Sequence, residues 1–150
     1  MAVLTDRPFA ADEELARFSA RQSGAGAIVS FTGIARPRDR AGDAVVNLFL
    51  EHHPRLTLRS IEQIAAEARE RFDVTDVHIV HRCGDIAPGE PIVFVATASA
   101  HRRAAFEAVD YLMDRLKSEA VFWKREDRAG GSEWIEPTEA DARDLARWSD

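Results

Sequence analysis

Residues 97–126 read TASAHRRAAFEAVDYLMDRLKSEAVFWKRE, a strand end, a long helix and a second strand in succession. Ala105, Val109, Leu112 and Leu116 recur at steps of four and three, which is one helical face, and Phe106 and Met113 widen it. Burying such side chains contributes roughly 1.5–3 kcal/mol each, so this helix is anchored in a core. Ser99 is the expected N-cap, with a hydroxyl able to take up an unpaired backbone N–H. Five basic residues stand out: His101, Arg102, Lys117, Lys124 and Arg125. His101 and Arg102 sit at the helix start, where free N–H groups and the dipole already favour an anion. Cations there oppose the dipole, so an anion is expected between them. Lys117 falls one turn after Met113, on the edge of the apolar face. In the extended segment that follows, alternation puts Phe122 and Lys124 on one face and Trp123 on the other. The expectation is that these cations gather around one anionic ligand.

Each cation also has a plainer reading. A lysine near a helix C-terminus complements the dipole. His101 and Arg102 suit a solvated helix start, and Lys124 and Arg125 suit outward-facing strand positions. Spacing alone leaves the chemistry open.

Working outward, Pro91–Ala98 is a near-continuous apolar run that suits a central strand covered on both faces. Val74–Arg82 reads as a strand with Val77, Ile79 and His81 on one face. Gly84–Glu90 carries strong turn chemistry. Thr57 to about Phe72 is a helix with Ile61, Ile64, Ala65 and Ala68 as its apolar stripe. Ala27–Ala35 and Ala44–His53 read as the two strands of a long hairpin around the polar loop Arg36–Asp43. Gly33 inside the first suggests a bulge or a close backbone approach. Val3–Phe9 reads as an edge strand and Ala11–Arg21 as a helix resting on Leu15 and Phe18. Downstream, Val121–Asp127 and Glu133–Glu136 form a second hairpin around Ala129-Gly130-Gly131-Ser132. Pro137 breaks it, and Thr138–Trp148 reads as a terminal helix with Thr138 as N-cap and Asp141 three positions on. The class is α+β, with helices on a mixed or antiparallel sheet.

The 150 residues suit one domain, residues 1–150, with 137–150 as a loosely attached tail. Hydrophobic content of 45% and charged content of 31% are ordinary for a globular protein. No apolar run approaches a membrane span, and no basic-then-apolar leader opens the chain. One cysteine, Cys83, excludes an internal disulfide framework and suits the cytoplasm. A net charge of −6 argues against a general nucleic-acid binder.

Known chemical motifs are scarce. Cys83 lies beside Arg82, whose charge would favour a thiolate, but no base partner is evident. His52, His53, His78 and His81 make no metal set, because adjacent residues and residues three apart on a strand face opposite ways. Zinc spacings, a phosphate loop and a nucleophile elbow are all missing from the sequence. What remains is the cation set, joined by Arg36, whose guanidinium suits a phosphate.

The stretches GAIVSFTGIAR, LEHHP, VHIVHRCGDIAPGE, FVATASAHRRAAFEAVDYLMDRLK and FWKRE, taken together, resemble the large, catalytic subunit of molybdopterin synthase. They run in family order from about residue 24 to 136. The resemblance implies an α/β hammerhead-like fold with an added β-hairpin subdomain. It implies a sulfurtransferase of molybdenum cofactor biosynthesis that converts cyclic pyranopterin monophosphate into molybdopterin. Each of the two dithiolene sulfurs arrives as a thiocarboxylate on the C-terminus of a small ubiquitin-like subunit. No metal or other cofactor of its own is implied, and neither is a membrane or nucleic-acid partner. The implied assembly is a homodimer at the centre of a heterotetramer.

By position, Lys117 matches the lysine that meets the donor tail and Lys124 the second essential lysine. Arg36, with Ile34 and Ala35 beside it and Phe31 and Met113 lining the same pocket, matches the substrate site. His101 and Arg102 match a phosphate-binding pair that can come from the neighbouring protomer, and Arg125 and Glu126 extend the Lys124 segment. The competing reading is a non-catalytic module that binds an anion or a ubiquitin-like tail. A nucleic-acid module built on Phe122, Trp123 and the basic residues is disfavoured by the acidic balance.

Overall fold

The central strand, β6 (Pro91–Ser99), is buried along its last seven residues because both of its faces are covered. Val93 and Val95 belong to one apolar cluster, with Ile61, Ile64, Leu112 and Leu116; Phe94, Ala96 and Ala98 belong to another, with Phe18. The two-residue period of a strand therefore distributes one apolar run between two cores. The computed structural model describes residues 1–149.

The element order is β1 (Ala2–Thr5), α1 (Ala11–Ala20), β2 (Ala27–Ile34), β3 (Asn47–His52), α2 (Leu56–Arg71), β4 (Asp76–Arg82), β5 (Gly84–Ile86), β6, α3 (Arg102–Glu119), β7 (Phe122–Arg128), β8 (Gly131–Ile135) and α4 (Glu139–Ala146). Among the described residues these strands form two four-stranded sheets, ordered β1-β4-β6-β2 and β5-β3-β7-β8. The first is mixed, since β1 runs parallel to β4 while β4–β6 and β6–β2 are antiparallel. Helices α2 and α3 cover one face of it and α1 the other. A third cluster, Ala35, Leu48, Leu50 and Ile86, lies under the second sheet. The α+β expectation with an added β-subdomain holds.

The long hairpin expected of β2 and β3 does not form. β2 pairs with β6, whereas β3 pairs with β5 and β7. The chain leaving β2 is captured instead by the turn before β6: Ala35 N donates to Glu90 O and Gly89 N donates to Ala35 O, at 2.9 and 2.8 Å. Val46 then donates to Asp127 O and enters the second sheet, so the 36–46 loop is a bridge between sheets. The 84–90 segment is more than a turn. Gly84, at φ +77°, lets the chain leave β4 and pair with β3 as β5.

Three local expectations also change. Ser99 ends β6; its hydroxyl donates to Asp73 O and accepts from His101 N, and His101 is the N-cap position of α3. Phe106 does not join the core and is 60% exposed. The tail is held more firmly than a loose attachment. Thr138 and Asp141 close a reciprocal capping box on α4. Beyond it, Trp148 packs edge-on against Phe72 and Tyr111 and donates to Asp114.

Candidate functional site

A cleft of about 860 Å³ opens where the two sheets, the end of α3 and the start of α4 meet. Strand β2 contributes Phe31 and Ile34, and α3 contributes Met113 and Lys117 from one edge of its apolar face. Antiparallel pairing of β7 with β3 sets Phe122, Lys124 and Glu126 at alternate positions facing the cleft. Arg36 and Arg40 enter from the inter-sheet loop. Gly33 is needed at its place, because a Cβ there would lie 2.8 Å from Val93 Cγ1, and the β2–β6 register slips between Gly33 and Ile34.

Seven of the sequence-predicted site residues therefore share the cleft: Phe31, Ile34, Arg36, Met113, Lys117, Lys124 and Glu126. Four do not. Ala35 is 2% exposed and engages the turn before β6 through its backbone. Arg125 points to the other face of β7, where its guanidinium lies 4.6 Å from the Phe49 ring centre and 5.6 Å from that of Trp134, paired with Asp127 at 2.7 Å. His101 and Arg102 stand exposed at the opposite end of α3. Lys117 lies fifteen helical steps beyond Arg102, about 22 Å along the axis. The expectation that all five basic residues surround one ligand fails within a single chain, because helix length and strand alternation separate them.

The electrostatics favour an anion. Burial pushes the Lys124 ammonium below the usual lysine range; Glu126, 3.8 Å away, opposes this, and Lys117, Arg36 and Arg40 reinforce it. Lys117 lies 3.8 Å from Asp141 and remains largely exposed. Arg128, a residue the sequence did not mark, gathers three carboxylates of the cleft: Asp39 at 2.8 Å, Glu126 at 3.1 Å and Glu133 at 3.1 Å. With those acids engaged, Arg36 and Arg40 have no ion pair or hydrogen-bond partner among the described residues.

His81 also lines the cleft. The sequence considered it only as a metal ligand, yet a histidine closing an otherwise apolar strand face was the available signal. The Cys83 thiol is buried, and burial together with Asp6 raises its pKa against the pull of Arg82. The thiolate that Arg82 alone would favour is therefore disfavoured. Among the described residues no cluster of three or more His, Cys, Asp or Glu is arranged to hold a metal, and no helix is long and apolar enough to cross a membrane.

The chain is similar to known proteins over nearly its whole length. The profile of the family described as "MoaE protein" matches residues 4–119. A molybdopterin synthase catalytic subunit from Caulobacter vibrioides is 52% identical over 148 residues, covering 99% of this chain and 97% of that protein. The solved molybdopterin biosynthesis MoaE protein from Burkholderia ambifaria superimposes with a TM-score of 0.82 at 39% identity, covering 99% of this chain and 97% of the other. The crystal structure of molybdopterin synthase from Staphylococcus aureus gives 0.80 at 29% identity, covering 89% and 95%. With this agreement of sequence and fold, the chain belongs to the MoaE protein family.

Proposed function

We propose that the protein is the catalytic subunit of a molybdopterin synthase, a sulfurtransferase acting in the cytoplasm. It would convert cyclic pyranopterin monophosphate into molybdopterin with sulfur from the thiocarboxylated C-terminus of a small ubiquitin-like subunit. The observation that carries this reading is the convergence of Lys117 from α3 and Lys124 from β7 on one cleft beside the unpaired Arg36. The pterin carries a phosphate and the donor tail is an anion, so both reactants suit that cleft. Lys117, exposed at its rim, meets the incoming tail. Lys124 is more enclosed, and burial lowers its pKa from the usual lysine range, which suits a group that gives and takes protons during sulfur addition. An external sulfur donor needs no thiolate from the protein, and Cys83 is ill suited to be one.

Phe31, Ile34 and Met113 supply apolar walls for the pterin, Arg36 a site for its phosphate, and Glu126 a partner that holds Lys124. Ala35 and Arg125 act one step back in this scheme, Ala35 by fixing the loop and Arg125 by stiffening β7. His101 and Arg102 cannot reach the cleft of their own chain. In the proposed homodimer they serve the neighbouring protomer's cleft, with one small subunit at each end of the assembly. Residues 1–150 act as one domain.

The test is incubation with thiocarboxylated small subunit and cyclic pyranopterin monophosphate, with molybdopterin assayed as its oxidised fluorescent derivative. Product is expected from wild type and is lost in folded Lys117→Ala and Lys124→Ala. No product from wild type with the small subunit bound would leave a binding module instead.

A further inference from the structure

The cations of the cleft suit phosphate and carboxylate, but they do not determine how an uncharged ring lies between them. His81 offers what they lack. It sits in β4, 8% exposed, with its ring stacked on Phe122 at 4.3 Å between centroids and 24° between planes. Its Nδ1 lies 2.8 Å from the Arg82 carbonyl oxygen. A carbonyl only accepts, so Nδ1 carries the proton and the neutral ring's lone pair is on Nε2. Burial pushes the ring's pKa down to about 4, which keeps that neutral form at pH 7.

Nε2 has no hydrogen-bond partner among the described residues, and it is not among the sealed unpartnered atoms, which are His78 Nδ1, Arg82 Nε and Ser118 Oγ. It therefore keeps access to the cleft that His81 lines. The acceptors nearby are largely committed: Asp39, Glu126 and Glu133 to Arg128, and Asp141 to its capping box.

We propose that His81 Nε2 accepts a hydrogen bond from a ring N–H, amino or hydroxyl group of the bound substrate, and so fixes the orientation of its uncharged heterocycle between the lysines. The inference rests on the reading of the cleft as a site for a pterin phosphate. Phe122 and the Arg82 carbonyl lock the ring, so its lone pair is aimed before substrate arrives, and a heterocycle turned the wrong way leaves that acceptor unmet.

Two measurements test it. In wild type with 15N-labelled histidine, the His81 Nε2 resonance should be that of an unprotonated nitrogen at pH 7. It should move on titration with cyclic pyranopterin monophosphate and stay still with inorganic phosphate. A protonated Nε2, or one unmoved by the pterin, overturns the proposal. In the second, His81→Phe keeps the stack and loses the acceptor, while His81→Gln restores an acceptor at similar reach. The Phe variant should bind the pterin about tenfold more weakly, the value of roughly one hydrogen bond, with KM rising more than kcat falls. The Gln variant should recover to within about threefold, and both should bind the small subunit like wild type. Unchanged pterin affinity in a folded Phe variant overturns the inference alone. A wild-type protein that binds no pterin overturns the site reading and the inference with it.

Discussion

Arg128 Nε donates to Asp39 Oδ2 over 2.8 Å, which ties the last residue of β7 to the loop between the two sheets. The same guanidinium holds Glu126 and Glu133. Arg128 thus works indirectly: by occupying three carboxylates it leaves Arg36 and Arg40 free for a ligand. Arg128→Ala should release those carboxylates to pair with the cleft's own cations. Affinity for the pterin phosphate should fall roughly tenfold at low ionic strength, and the gap should close as salt rises. A titration at two salt concentrations checks this. Equal affinities at low salt would mean that the acids were never in competition.

Lys124 and Lys117 should separate when each is replaced by arginine. Arginine keeps the charge but does not give up its proton. Lys124, whose ammonium is destabilised by burial and by its cationic neighbours, should lose turnover in Lys124→Arg by about 10²–10⁴-fold, the usual worth of a general acid or base. Binding of both reactants should survive. Lys117→Arg, at an exposed rim position, should retain most of its activity. Single-turnover kinetics with saturating thiocarboxylated subunit makes the comparison, and a rapid Lys124→Arg enzyme would limit Lys124 to a charge role.

Much of this was legible in the sequence where one physical rule dominates. The run Pro91–Ala98 suited a strand covered on both faces, as found, and the four-and-three spacing of α3 named its buried face. Strand alternation put Lys124 beside Phe122 and away from Trp123, as found. Where the reading fails, partners distant in sequence decide the strand pairing and the role of Arg128, while a local rule decides Arg125. β2 and β3 have good hairpin patterning, yet the 84–90 turn takes the chain leaving β2 and β7 pairs with β3. Arg125 matched a site motif, but alternation sends it to the opposite face. Arg128 carried no local signal at all, because its role exists only once Asp39 and Glu133 are folded around it.

Gly33 connects the core to the cleft, and Gly33→Ala should show it. A Cβ there would press Val93 Cγ1 at 2.8 Å and Phe31 Cε1 at 3.3 Å. Val93 is a stiff, buried neighbour, so the strain should fall partly on Phe31, a wall of the cleft. The expected cost is about 1–3 kcal/mol of stability, with a rise in KM for the pterin. Denaturant unfolding and steady-state kinetics measure the two effects. A stable variant with unchanged KM would show that β2 yields at its bulge without disturbing Phe31.

His81 also leaves a mark on stability that requires no substrate. Its folded pKa is about 4, against 6.5 for an ordinary histidine. As pH falls below about 6.5, the unfolded chain takes up a proton that the folded ring refuses, so the fold loses stability. The loss continues to about pH 4, below which both states carry the proton, and it totals on the order of 3 kcal/mol. His81→Phe removes the group from both states and should lack this limb. Other titrating groups are common to the two proteins and cancel in the difference. Urea unfolding at intervals from pH 7 to pH 5 should therefore show wild type weakening more steeply than the variant. Parallel curves would mean that the folded ring takes up its proton at the same pH as the unfolded chain, so that burial does not hold its pKa down.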